Sequence, residues 1–186
     1  SVGISGDVAV IGAEGNGEAG YLSGAAYVFR RVGSAWVQEQ KLTASDAFEG
    51  DRFGRAVAIS GETVMVTAFQ DDNVQANAGA VYVFRWDGTR WVERQKLVAP
   101  DAFVAHQLGW SVSIDRDVAA VGQIGDSFAG NPESGAVYVF RWNPGTPGSW
   151  VQEQKLAPPD LGLYDHFGFS VSVKGTVIVA GAQNVA

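Results

Sequence analysis

Few side chains in this sequence suit bond-making or bond-breaking. The chain has two histidines, His106 and His166, and no cysteine. His166 follows Asp165, which superficially offers a general base and its orienting acid. Neighbours on an extended chain point apart, however, and no serine stands in a nucleophile motif. The sequence contains no phosphate-binding loop, dinucleotide fingerprint or HExxH segment. Without cysteine, thiolate metal sites, disulfides and a cysteine nucleophile are all excluded. A pair of carboxylates for glycoside chemistry is the remaining route, because its spacing is spatial and leaves no linear signature. The expectation is therefore a protein that is not an enzyme, with a carbohydrate-active enzyme as an alternative.

Residues suited to binding are more plentiful. Three polar stretches, 14–23, 69–78 and 124–134, differ in sequence although their flanks are alike. Glu14, Asn16 and Glu18 alternate in the first; Asp71, Asp72 and Asn73 are consecutive in the second; Asp126 lies in the third. Such oxygens suit a hard cation or a polar ligand, and the competing reading is a solvated loop. Trp86 and Trp142 carry indoles that either stack on a sugar or a partner surface, or pack between layers. Asp46, Asp101 and Asp160 each follow a Gln-Lys-Leu by the same few residues. That regularity predicts a structural role, capping a turn through backbone N–H groups.

These residues are carried by a repeat. The pattern of Tyr27–Arg30, Trp36 and Gln40–Leu42 returns at Tyr82–Arg85, Trp91 and Gln95–Leu97, and again at Tyr138–Arg141, Trp150 and Gln154–Leu156. The three tryptophans are 55 and 59 residues apart, the difference being an insertion at 143–148. A fixed period of this size marks a repeat architecture. Each unit reads as four short strands, in the second unit 55–60, 62–68, 80–86 and 91–97. Gly61 supplies the first turn and Asp87-Gly88-Thr89 the third. AVYVFR is apolar on both faces and should lie between packed layers, whereas WVQEQKL and WVERQKL should be outer, half-exposed strands. Trp36, Trp91 and Trp150 should pack. The units fall at about 1–52, 53–107 and 108–166, with two strands of a fourth over 167–186.

Composition agrees with this architecture. Hydrophobic residues make up 46% of the chain, and the 24 glycines suit many tight turns. The net charge of -7 argues against nucleic acid and anionic membrane as partners. No apolar run approaches a membrane span. The chain opens at Ser1 inside a repeat, as expected of a processed, excised or engineered chain.

The segments FGRAVAISGETVMVTA, LGWSVSIDRDVAAVGQ and FGFSVSVKGTVIVAGA resemble FG-GAP repeats, found in the propeller of integrin α chains and in bacterial secreted proteins. The Phe/Leu-Gly pairs Phe53-Gly54, Leu108-Gly109 and Phe167-Gly168 carry the likeness, and the GAP element survives as Gly12-Ala13 and Gly181-Ala182. The resemblance implies an all-β fold: propeller blades of four antiparallel strands, about three and a half of them, completed by further blades or by another chain. It also implies a non-catalytic, extracellular or cell-surface module for binding, adhesion or scaffolding, with a protein or glycan as ligand. Self-assembly through open blade edges is the alternative. The calcium loop of the integrin-like form has no counterpart. The segments in its place, such as Ser60-Gly61-Glu62, are too short to wrap a cation, so no cofactor is expected.

Overall fold

The computed structural model describes residues 1–127, 130–145 and 148–184. Phe128 and Ala129 of the third polar stretch, and Thr146 and Pro147 of the insertion, lie outside the described residues. The described residues form fourteen strands and no helix. The first sheet contains β1 (Val2–Ser5), β2 (Val8–Ala13), β3 (Ala25–Val32) and β4 (Ala35–Leu42). The second contains β5 (Val57–Ser60), β6 (Thr63–Ala68), β7 (Ala80–Trp86) and β8 (Trp91–Leu97). The third contains β9 (Leu108–Asp115), β10 (Val118–Gln123), β11 (Ala136–Asn143) and β12 (Ser149–Leu156). β13 (Ser170–Lys174) and β14 (Val177–Gly181) form a two-stranded sheet. Within each sheet the strands follow chain order and are antiparallel. These are propeller blades, and the ring is not closed within this chain.

The sheets stack, and strand alternation decides which residue enters which seam. On β7, Ala80, Tyr82 and Phe84 join the core facing the first sheet, while Val81 and Val83 join the core facing the third. All five are buried, as a strand apolar on both faces requires. The Gln-Lys-Leu strands β4, β8 and β12 lie at the edge of their sheets. Trp91 and Trp150 are each 3% exposed, but Trp36 is 43% exposed. The expected packing of Trp36 fails because no sheet covers the outer face of the first one. Val2, Ile4 and Ile11, on the same face, are exposed with it.

The Phe-Gly pair is a seam element. Phe53 is fully buried, edge-on to Tyr82 at 5.4 Å and to Phe84 at 6.1 Å. Gly54 has φ +94°, and a Cβ there would stand 2.3 Å from the Ala25 carbonyl oxygen of the first sheet. Only glycine permits both the conformation and the approach.

Candidate functional site

Both complete seams are closed by the same polar side chains. Tyr82 on β7 and Lys96 on β8 are cross-strand partners, so their side chains project together. The Tyr82 hydroxyl lies 2.7 Å from Asp46 Oδ1 and 2.7 Å from Asp71 Oδ2. Lys96 Nζ donates to Asp46 Oδ2 at 2.8 Å and Asp71 Oδ2 at 2.7 Å, and sits 5.0 Å over the Tyr82 ring. Asp46 comes from the segment after β4, in the neighbouring sheet, and Asp71 from the loop after β6. At the next seam Tyr138, Lys155, Asp101 and Asp126 repeat the arrangement, with Lys155 Nζ 2.7 Å from Asp101 Oδ2 and 2.6 Å from Asp126 Oδ2. Asp46 and Asp101 thus reach across to the next sheet's tyrosine and lysine, where turn-capping through N–H groups was expected. Burial pushes the Asp46 carboxyl up, but hydrogen bonds from Lys96 and Tyr82 outweigh it and hold its pKa below the usual value. Burial, with the two carboxylates beside it, pushes the Tyr82 hydroxyl upward, so it remains a donor.

The candidate cation ligands therefore meet cations and donors of the chain itself. Asp71 is 1% and Asp126 2% exposed. Asn73 Nδ2 donates to Asp46 Oδ2 at 3.0 Å, and Asp72 Oδ1 accepts the Asn77 N–H at 2.5 Å. Asp71, Asp72 and Asn73 are brought together, with Asp46, Phe48 and Asp51 alongside the hollow that Asp72 and Asn73 line. In the first unit Asn16 takes the place of Asp71: its Nδ2 donates to the Tyr27 hydroxyl at 3.3 Å, and its carbonyl accepts from Gly24 as that of Asp71 does from Gly79. Glu18 pairs with Lys41, and Glu14 lies 3.8 Å from Arg55. Among the described residues no three His, Asp or Glu side chains converge as a metal site would require.

The histidines form no dyad. His106 Nδ1 is 2.8 Å from Gln123 Nε2 and so accepts, and burial lowers its pKa. His166 Nε2 lies 3.2 Å from Glu133 Oε2, while Asp165 accepts the Gly162 N–H at 2.6 Å. Asp51, which holds the position of Asp165 two units earlier, accepts the Phe48 N–H at 2.7 Å. Burial pushes Asp51 up to about 6.

A second seam device rests on a β-bulge. The pairing of β3 with β4 shifts between Val28 and Phe29, leaving Glu39 as the extra residue; Arg94 and Glu153 are extra in the later sheets. A bulge re-aims the side chain it carries. Here it lets two consecutive residues, Glu39 and Gln40, meet the same neighbour. Gln40 Nε2 donates to the Trp91 carbonyl at 2.8 Å, and the Trp91 N–H donates to Gln40 Oε1 at 2.7 Å. Glu39 Oε2 accepts the Trp91 Nε1–H at 3.0 Å and is also held by Arg30. Gln95 repeats the two backbone bonds on Trp150 at 2.7 and 2.8 Å. Trp142, half-buried, lines one open groove of about 690 Å³ along the second seam, with Arg85, Arg94, Gln95, Gly148 and Ser149. Trp86 also borders it, but its ring packs at the first seam, 5.0 Å from the Arg30 guanidinium.

A sequence profile described as the FG-GAP repeat matches residues 1–29, 36–84, 91–140 and 150–186. The chain belongs to the FG-GAP repeat family. Among curated proteins, none matches it. The matched FG-GAP windows are offset from the sheets: 36–84 runs from β4 of one sheet to β7 of the next. Each inner window therefore spans a seam and contains its Phe/Leu-Gly pair, both its aspartates and its tyrosine. Sequence reading passed over the Gln side chains and the bulge. The invariance of Gln40, Gln95 and Gln154 among the copies was the available signal for the former; the bulge had none.

Proposed function

We propose that this FG-GAP chain is a non-catalytic, extracellular binding scaffold whose recurring polar residues hold the blades together and whose ligand is met where the copies differ. One observation supports it above others. The carboxylates, tyrosines and lysines best suited to acid–base work are committed to two equivalent seam clasps, and a catalytic centre would break that equivalence. No helix of the described residues is long and apolar enough to cross a membrane, and the family is typical of extracellular proteins. The test pairs an extracellular-matrix and glycan array with turnover assays on the bound polymers. Binding without turnover is expected. Hydrolysis or elimination that disappears in Asp165→Asn overturns the reading.

A second reading, self-assembly of two copies through the open face of the first sheet, is favoured by the exposure of Val2, Ile4, Ile11 and Trp36 together on that face. Sedimentation decides it. A dimer that Trp36→Glu dissociates supports it, and a monomer of 19.6 kDa at every concentration removes it.

A further inference from the structure

The two complete seams differ at one bulge position, and the difference changes their chemistry. At the first seam Glu39 stands between the Arg30 guanidinium, with Oε1 2.5 Å from Arg30 Nε, and the Trp91 Nε1–H. Burial pushes Glu39 up, but its bonds to Arg30 and Trp91 outweigh this and lower its pKa, so it remains a carboxylate. In the third sheet Glu153 likewise pairs with Arg141 at 2.9 Å. In the second sheet the bulge carries Arg94.

One replacement thus leaves two donors without the acceptor and adds a third. Arg85 occupies the place of Arg30 and Arg141, yet among the described residues it meets no carboxylate and lies 4.7 Å from the Trp142 ring centre. Arg94 adds a second guanidinium that meets no carboxylate among the described residues. Trp150 is 3% exposed, and its buried Nε1–H has no partner among the described residues, whereas that of Trp91 has Glu39. An unpaired buried donor is uncommon in a folded protein and calls for an explanation.

We propose that the groove between the second and third sheets binds an acidic saccharide, its carboxylate taking the place that Glu39 occupies at the first seam. The carboxylate is indicated by the chain itself, which puts one between the equivalent arginine and indole of the first seam. A planar guanidinium fork matches a carboxylate with two parallel bonds. Arg85 and Arg94 hold the charge, and the Trp150 indole recovers its acceptor. The saccharide is indicated by the rest of the lining. Trp142 borders the groove with its indole, Ser149 adds a hydroxyl, and a volume of about 690 Å³ admits a ligand of several rings. Gly148 keeps Trp142 in position: a Cβ there would stand 2.3 Å from the indole. This site rests on the reading of the chain as a binding scaffold.

The test is calorimetric titration of the full chain with oligogalacturonate, its methyl ester and polyglutamate. Oligogalacturonate is expected to bind, with affinity falling as salt rises. The methyl ester and Arg94→Ala should each weaken binding at least about 10-fold, the scale of one charge-assisted contact. Arg94→Glu should abolish binding while raising the melting midpoint by about 2–4 °C, because Glu restores the pairing seen at the first seam. A variant that is more stable yet does not bind excludes misfolding as the cause. Equal binding of acid and ester, or unchanged binding by Arg94→Glu, overturns the site. Polyglutamate binding as tightly as oligogalacturonate overturns the saccharide. Silence with all three probes overturns the site and leaves the scaffold reading to the array and turnover assays.

Discussion

Gln40 clasps the backbone of Trp91 with two hydrogen bonds, 2.8 Å from its Nε2 to the carbonyl and 2.7 Å from the N–H to its Oε1. A side-chain amide is here continuing, across a seam, the donor–acceptor pattern that a neighbouring strand would supply. Gln40→Ala removes both bonds and leaves a half-buried N–H and C=O unmatched. The expected loss is about 2 kcal/mol, one for each bond. Urea denaturation should show a lower midpoint with an unchanged slope.

Lys96 is the cation for two carboxylates, one of them the 1% exposed Asp71. Lys96→Met leaves Asp71 buried and uncompensated, at an expected cost of about 3–5 kcal/mol. Tyr82→Phe removes one neutral donor and should cost only about 1–2 kcal/mol. Equal losses for the two variants would show that the ion pair is not the element that holds the clasp.

The Asp51 carboxyl is raised from 3.8 to about 6 by burial. Between those values the folded chain holds a proton that the unfolded chain has released, so stability falls as pH rises through that window. Thermal midpoints measured from pH 4 to pH 7 should decline on this account in the wild type, and Asp51→Asn should flatten the slope. Asp46 and Asp101, held below their usual range, act oppositely: their contribution is lost only as the pH drops below about 4.

Gly54 combines a positive φ with a 2.3 Å approach to the Ala25 carbonyl. Gly54→Ala should cost about 4 kcal/mol or prevent folding, in the class of substitutions that strain backbone and packing together. Gly33, with φ +63° and nothing near its Cβ position, is the control. Alanine there should cost about 1 kcal/mol, the conformational part alone.

Metal removal should leave the fold unchanged, since the turns that replace the integrin-like calcium loop hold two residues between paired strands, as at Ser60–Thr63. Identical melting curves with and without a chelator are expected. A lower midpoint with chelator, recovered by calcium, would reveal a site stabilising the native state.

Much of this was legible in the residues. Alternating apolar runs and glycine turns marked the strands within a residue or two, and the two-faced apolar pattern of Ala80–Trp86 marked the buried strand. The candidate site was less legible. Asp71 and Asp126 stood out as oxygens, but sequence cannot show that Lys96 and Lys155, 25 and 29 residues away, hold them. The role of Trp36 was misjudged because equivalent residues have equivalent burial only when each has a neighbour. The offset of Glu39, Arg94 and Glu153 was invisible because a bulge changes pairing and not composition.

The sequence by itself determined the fold: a repeated four-strand unit, its buried strand, its edge strand and its Phe-Gly punctuation, all local consequences of side-chain period and turn chemistry. Tertiary structure alone decided which charges are satisfied. The Arg94 that replaces a glutamate reads in sequence as one surface charge among many. Its meaning appears only when the fold sets it on one groove with Arg85 and the next sheet brings up Trp150, because pairing of charge and hydrogen bonds depends on distance in space and not along the chain.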